Sequence, residues 1–299
     1  MLLTAKDLIY CTGYLATCVA PPQLDAWFVE RCLPLWVRCR RRKIERLGEE
    51  MTRLLGANLN GRDPRHLAER RVHLALEENW GQLRALGPRR WKPQVAVDGV
   101  EHVRQALTAG RGVVLWGTAI GSGLVHKIGL WGAGVKLVHL SSSRHGAVSG
   151  SRLALRVLAP LRWRSEIPYL AERVVIQPNG SLGYLRRLED WLRQNGCVSI
   201  MGEHQGRQNV EAPLLAETRS FATGAPSLAW RQGSALLTVY ATREGPFRYR
   251  VVVEPPIDAD RSLDRKRFAE AAVREFAARL SRRLAEHPAD WEGWKHGGI

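Results

Sequence analysis

The sequence predicts an α/β fold in which a mostly parallel central sheet is flanked by helices. Short apolar segments of strand length alternate along the chain with longer segments of helical periodicity. The clearest strand is residues 113–116, a continuous apolar run bounded by Gly112 and Gly117, as expected for a strand buried on both faces. A turn containing Gly121 and Gly123 leads directly into a helix. Ligands of parallel sheets gather at such carboxyl ends of strands, so we expect a site there.

The N-terminal residues predict helices of a different character. Residues 1 to 56 have helical periodicity interrupted at Pro21-Pro22, and a basic block at residues 38–43 follows an aromatic face that includes Trp27. This combination suits a helix resting on an anionic membrane, and a core-facing helix with a solvated charged end is the alternative. We therefore predict a helical membrane-surface segment at residues 1–60 and an α/β domain at residues 61–299.

The remaining elements are predicted in chain order from periodicity and from the positions of glycine and proline. A second helical block at 65–86, a link at 88–93 and a helix at 100–109 precede the first strand. The later strands are predicted at residues 135–140, 174–176, 198–201, 236–242 and 249–253. The last two flank the turn Glu244-Gly245-Pro246 and should form an antiparallel hairpin. The later helices are predicted at residues 150–158, 180–194, 224–232 and 263–286.

Charge and cysteine content restrict the possible functions. Lys and Arg number 45 against 29 Asp and Glu, a formal net charge of +16, and such a surface favours polyanions or anionic membranes. No apolar run reaches the roughly 20 residues that a transmembrane helix requires. The five cysteines contain no C-x-x-C pair, and Cys/His spacing typical of zinc is missing, so we expect no metal site.

Four segments carry a resemblance to a known family. Residues 110–130 hold the glycine-led strand and its turn, and residues 191–200 hold a glycine and a strand before Glu203-His204-Gln205. Residues 222–229 begin a helix with threonine, glycine and proline, and residues 287–296 are rich in tryptophan. In order and spacing these segments resemble the bacterial lipid A late acyltransferases, the lauroyl and myristoyl transferases, and their relatives that acylate mannosylated lipids. The resemblance runs nearly end to end and implies the same α/β fold.

The resemblance also exposes a departure from the family's catalytic motif. Family members carry H-x-x-x-x-D/E after the first strand, where the histidine deprotonates the acceptor hydroxyl and the carboxylate orients the imidazole. Aligned on residues 112–115, Thr118 stands at the histidine position and Gly123 at the acid position. A threonine hydroxyl is no base near neutral pH and glycine has no side chain, so the usual dyad is absent.

Other residues are candidates to replace that dyad. Glu203 and His204 follow the strand at 198–201, and His126 lies in the helix after the motif; we predict these three as catalytic residues. The alternatives are a solvated loop pair for the first two and a helix-surface or supporting histidine for the third. We expect substrate contacts from a further set of hydroxyl and guanidinium groups, each of which alone could equally be a solvated side chain. This set is Thr118, Ser122, Arg144, Arg219 and Arg243.

The resemblance implies an acyltransferase at the cytoplasmic face of the inner membrane, bound peripherally. The donor would be an acyl thioester of acyl carrier protein or of coenzyme A. It would serve as a co-substrate, and we expect no bound cofactor. The acceptor would be a lipid or an amine, since a free amine lone pair needs less help from a base. The alternative is a non-catalytic relative that binds lipid or acyl carrier protein for a partner enzyme. Only charge supports a nucleic-acid partner, and we do not expect one.

Overall fold

The computed structural model describes residues 4–87, 93–142, 145, 149–176, 182–203 and 206–295. Its helices are α1 (Ala5–Val19), α2 (Asp25–Cys39), α3 (Arg41–Leu55), α4 (Pro64–Leu86), α5 (Val100–Leu107), α6 (Gly123–Gly132), α7 (Ala159–Arg164), α8 (Gly183–Arg193), α9 (Gly224–Gln232) and α10 (Arg265–Glu286). Its strands are β1 (Gln94–Asp98), β2 (Val113–Gly117), β3 (Leu137–Ser141), β4 (Glu172–Val175), β5 (Cys197–Met201), β6 (Asn209–Leu214), β7 (Glu217–Ala222), β8 (Ala235–Gly245) and β9 (Arg248–Pro256).

Seven strands form one central sheet in the order β1-β9-β8-β2-β5-β3-β4. The five strands from β8 to β4 run parallel, β9 runs antiparallel to β8, and β1 runs parallel to β9. The prediction of a mostly parallel sheet flanked by helices is confirmed, and so is the antiparallel hairpin near the C terminus. Within the described residues, strands β6 and β7 pair with each other alone, as a separate antiparallel hairpin.

Strand β2 lies near the middle of the sheet, and every one of its residues is buried. Because side chains of a strand alternate between its two faces, Val114 and Trp116 enter the core that contains α10. The Trp116 ring stacks on Phe276 of that helix with 4.2 Å between ring centroids. Val113 and Leu115 enter the other core, which includes the apolar side of α6. Burial on both faces explains the uninterrupted apolar sequence of this strand.

The N-terminal helices are joined to the sheet domain by packing and by buried charge. Met51 of α3 is fully buried and belongs to the same core as Trp116. Glu77 of α4 is also buried and accepts hydrogen bonds from Arg243 Nε (2.9 and 3.0 Å), from Tyr249 Oη (2.9 Å) and from the Phe247 amide (3.0 Å). These contacts fix α4 across the β8–β9 hairpin.

Three strands were not predicted from the sequence. Residues 94–98 form β1, a short edge strand whose only apolar side chains with partial burial are Val95 and Val97. Strand β6 alternates exposed positions with partly or fully buried ones and β7 does not, and both strands contain charged residues that interrupt an apolar pattern. The helix predicted at 150–158 is a π-helical segment at Ala154–Leu158 that continues into α7. Among the described residues, none of the helices combines the length and apolar character needed to span a bilayer.

We predict that Glu77→Ala lowers the free energy of unfolding by about 3–5 kcal/mol, because it removes a buried carboxylate that pairs with the partly buried Arg243 guanidinium and accepts from the buried Tyr249 hydroxyl. The matched control Glu45→Ala removes an exposed carboxylate whose 3.1 Å pair with Arg41 lies at the surface, and should cost less than about 0.5 kcal/mol. Urea denaturation at pH 7 measures both. Equal losses in the two variants would contradict the role assigned to Glu77.

Candidate functional site

The candidate site lies where β2 and β5 end at the carboxyl edge of the sheet. The two strands pair in parallel with Gly117 opposite Met201, so the residues that follow each strand are neighbours in space. After β2 the chain turns through Thr118 to Ser122 before α6 begins. After β5 it reaches Glu203. Strand register alone therefore brings Glu203 to the turn that follows β2.

The turn after β2 is held tightly against its surroundings. Gly121 has a φ of +72°, and a Cβ there would lie 2.4 Å from the Ala241 carbonyl oxygen, so only glycine fits. The Gly121 amide donates to the Asp290 carbonyl (2.9 Å), and the Glu292 amide donates to the Ala119 carbonyl (2.7 Å). The C-terminal segment 288–295 thus pairs with this turn and lies across it.

Glu203 is a titratable group that contacts the turn directly. One carboxyl oxygen accepts the Ala119 amide hydrogen at 2.6 Å, and the other accepts the indole hydrogen of Trp291. Burial raises the pKa of Glu203 to about 7, and the two N–H donors and the positive charge of Arg219 only partly oppose that effect. Part of the residue's surface stays accessible. A carboxyl group with this pKa exchanges protons near neutral pH.

Arg219 of β7 borders the same place. Its guanidinium carbon lies 5.3 Å from the centroid of the Trp291 ring, and its charge acts on Glu203. It also pairs with Glu217 at 3.4 Å and with Glu50 at 3.6 Å. Burial raises the pKa of Glu50, and the nearby arginine partly offsets this rise. Arg219 is therefore placed near the predicted site, together with two carboxylates that moderate its charge.

His126 is buried in α6 and supports the turn. Its Nε2 lies 3.2 Å from the Ile120 carbonyl oxygen. Burial lowers the pKa of His126 to about 4, so the ring is neutral, and Nε2 must carry the hydrogen because a carbonyl only accepts. Thr118 is buried too, and its Oγ1 accepts the Ile120 amide at 3.3 Å. Both side chains bond to the backbone of the turn at one residue, Ile120.

The other predicted residues occupy different surroundings. Ser122 is buried and directly precedes α6. Arg243 directs its guanidinium at Glu77 of α4, while its amide lies 3.5 Å from an Asp290 carboxyl oxygen. His204 and Arg144 lie outside the described residues. The structure therefore places Glu203, Thr118, Ser122, His126 and Arg219 around one turn, with Arg243 directed away from it toward α4.

A second buried polar cluster forms around Lys127 of α6. Lys127 forms an ion pair with Glu166, whose other oxygen lies 2.7 Å from His145 Nε2. The Lys127 ammonium lowers the pKa of Glu166 strongly against the opposing effect of burial. His139 of β3 is buried nearby, with Nδ1 3.2 Å from Ser199 Oγ, and burial keeps its pKa well below the usual value. No sequence motif indicated that these residues meet.

Sequence reasoning also missed Trp291. Its indole bonds to a carboxylate 88 positions away, and its ring packs edge-on against Trp294 with centroids 4.8 Å apart. The tryptophan-rich tail was visible in the sequence, but nothing local identified its partner. Within the described part of the chain, no group of three or more His, Cys, Asp or Glu side chains is arranged to hold a metal ion.

Comparisons with known proteins identify similar chains. Residues 78–295 match the family model described as bacterial lipid A biosynthesis acyltransferase. A phosphatidylinositol mannoside acyltransferase of Mycobacterium tuberculosis strain H37Rv is 30% identical over 200 residues, 65% of this chain and 57% of that protein. The protein of the same name from strain CDC 1551 matches to the same extent. The chain thus spans a little more than half the length of these curated relatives.

We predict that Glu203 makes stability fall as pH rises. Its folded pKa of about 7 exceeds the ordinary value of 4.5, so the folded state holds this proton to higher pH than the unfolded state does. The free energy by which this proton stabilises the folded state is fully present below about pH 4.5 and is lost as the pH rises to about 7. Over that range the wild type should lose up to about 3 kcal/mol relative to Glu203→Gln, as measured by urea denaturation at several pH values.

The control for this experiment is Glu211→Gln, which changes an exposed glutamate of β6. Its unfolding free energy should follow that of the wild type at each pH. Parallel curves for the wild type and Glu203→Gln would show that the Glu203 carboxyl titrates as an ordinary glutamate.

Proposed function

The chain belongs to the bacterial lipid A biosynthesis acyltransferase family, and on this premise we propose that it transfers an acyl group from a thioester donor to a lipid acceptor at a membrane surface. The relatives that match it are named for acylation of phosphatidylinositol mannosides, which are lipid acceptors. The donor is an acyl thioester of acyl carrier protein or coenzyme A. Because such donors are cytoplasmic, the protein would bind peripherally at the cytoplasmic face of the inner membrane.

The observation that carries this proposal is the Glu203 carboxyl beside the turn after β2. Residues 117–125 contain no titratable side chain, so the proton of the acceptor must be taken by a group from elsewhere. Glu203 has a pKa of about 7 and reaches the Ala119 amide within this turn. A base with a pKa near the working pH is the most effective proton acceptor.

The chemistry assigned to Glu203 is a proton transfer coupled to acyl transfer. As the acceptor oxygen or nitrogen attacks the thioester carbonyl carbon, its proton passes to the Glu203 carboxylate. The new C–O or C–N bond forms, the C–S bond breaks, and the Glu203 proton then neutralises the departing thiolate. Arg219, Thr118 and Ser122 lie around the same turn and are the proposed substrate contacts, while His126 positions the turn from behind.

An exposed apolar surface on α1 and α2 supports binding to a membrane. Its side chains are Leu8, Ile9, Leu15, Val19, Trp27 and Leu35, of which Val19 is 81% exposed. Spacings of seven and four residues place Leu8, Leu15 and Val19 on one face of α1. An apolar face of this size, on a chain with a net charge of +16, fits an anionic lipid surface.

A second candidate function rests on the absence of titratable side chains in the turn after β2. A relative that had lost the chemistry would bind a lipid or acyl carrier protein for a partner enzyme and would consume no thioester. The two functions differ in one measurable respect, the acceptor-dependent release of thiol from the donor.

We expect the wild type to release coenzyme A from palmitoyl-coenzyme A only when an acceptor lipid is present, with the acylated lipid detected by mass spectrometry. Glu203→Gln should lower this rate by about 10²- to 10⁴-fold, as for loss of a general base. Phosphatidylinositol mannosides and phosphatidylethanolamine serve as separate arms, which distinguish a hydroxyl from an amine acceptor.

The matched control Glu211→Gln should keep the wild-type rate. The assay is repeated with the palmitoyl thioester of acyl carrier protein as the donor. Lipid binding without acceptor-dependent thiol release, with either of these two donors and either acceptor, would overturn acyl transfer and favour the non-catalytic function. Transfer that survives unchanged in Glu203→Gln would overturn the role of this carboxyl group alone.

Membrane binding should depend on the apolar surface of α1. The double variant Leu15→Asp, Val19→Asp should reduce sedimentation with phosphatidylglycerol-containing vesicles by at least about tenfold, because each buried aliphatic side chain contributes about 1.5–3 kcal/mol. The control Trp131→Asp changes a 38%-exposed side chain of α6 outside this surface and should bind as the wild type does. Equal loss in both variants would contradict docking through α1.

A further inference from the structure

A cavity of about 370 Å³ opens at the opposite edge of the sheet from Glu203. It lies where β2 and β8 begin and β9 ends, and α5 forms one wall. Its lining includes Arg111, Arg261, Gln105 and the small apolar residues Ala106, Ala109 and Ala235. Pockets for small organic ligands typically have volumes of about 300–1,000 Å³, so this one has room for a compact molecule.

Two arginines give the cavity a strong positive charge. Arg261 donates to the carbonyl oxygens of Ala229 (3.3 Å) and Ser234, which fixes its guanidinium at the cavity wall. Among the described residues, no carboxylate forms an ion pair with Arg261 or with Arg111. Partial burial and the neighbouring charge of Arg111 both lower the pKa of Arg261. An anion placed between the two guanidinium groups would relieve this repulsion.

The backbone around Arg111 is shaped to hold its side chain in the cavity. Ser234 Oγ donates to the Arg111 carbonyl oxygen, which joins the start of β2 to the start of β8. Gly233 has a φ of +66°, and a Cβ there would lie 3.0 Å from Arg111 Nη1 and 3.1 Å from Arg111 Cδ. The arginine side chain therefore lies directly against the glycine backbone, in space that any larger residue would need.

We propose that this cavity binds an organic phosphate, with the phosphate group between Arg111 and Arg261 and the organic group against the apolar wall. Guanidinium groups bind phosphate through paired, charge-assisted N–H···O hydrogen bonds. The methyl groups of Ala106, Ala109 and Ala235 and the Pro256 ring provide the apolar wall, and Gln105 adds an amide. Inorganic phosphate would contact the two arginines and leave the apolar wall without a partner. A phosphate ester, whose organic group packs against that wall, therefore fits the cavity better.

This site is separate from the acyl-transfer site. Strand β2 runs from one to the other, and its five residues span about 16 Å. The two sites share no residue. Binding at the cavity therefore neither requires nor tests the chemistry assigned to Glu203.

Isothermal titration at low salt tests the proposal with phenyl phosphate and inorganic phosphate as probes. The wild type should bind phenyl phosphate saturably and more tightly than inorganic phosphate. Arg111→Gln should weaken phenyl phosphate binding by at least about tenfold, since it removes a charge-assisted contact. Its melting temperature should be unchanged, because the Arg111 side chain is exposed. Glu203→Gln should bind as the wild type does.

The matched control is Arg274→Gln, which removes an exposed arginine of α10 outside the cavity. If Arg274→Gln and Arg111→Gln weaken binding equally, the attraction is a property of the whole basic surface and the proposal fails. Equal affinity for phenyl phosphate and inorganic phosphate would overturn the assignment of the apolar wall. Absence of saturable binding by the wild type would overturn the site.

Discussion

The Glu203 carboxyl is largely shielded from bulk water at a point where three parts of the chain that are distant in sequence meet. The register of β2 and β5 places it beside the Ala119 amide, and the C-terminal segment brings the Trp291 indole to its other oxygen. Desolvation disfavours the charged form of a carboxyl group more than two neutral N–H donors favour it, and the pKa rises to about 7. The proposed reactivity of the site depends on this balance.

Three other buried carboxylates show what a direct cationic partner changes. Asp25 accepts hydrogen bonds from Arg84 and Trp80, Glu77 is held by Arg243, and Glu166 by Lys127. In each of these pairs a cation lies within hydrogen-bond distance of the carboxylate. The pKa of Glu166 falls accordingly, whereas the direct donors to Glu203 are neutral and Arg219 acts from farther away. Among the residues that the structure describes, Glu203 thus lacks the direct cationic partner that Asp25, Glu77 and Glu166 each have.

Local sequence patterns identified much of the fold and the edge of the sheet at which Glu203 lies. The glycine-bounded apolar run is β2, the predicted helix 224–232 is α9 with the same bounds, and Glu203 follows β5 at the expected sheet edge. The family resemblance drawn from four segments is confirmed by the family model. Strand β1 was not predicted because it contains only two partly buried valines, which form too short an alternating pattern to indicate a strand. The partners of Trp291 and Arg243 depend on packing between distant segments, which no local pattern encodes.

The pH dependence of acyl transfer tests the central claim most directly. If the Glu203 carboxylate accepts the proton of the acceptor, kcat/KM measured from pH 5.5 to 8.5 should rise along a limb centred near pH 7. The same limb should be missing from the residual activity of Glu203→Gln. A rate that does not change over this range, or an identical limb in the variant, would contradict the assignment of Glu203 as the base.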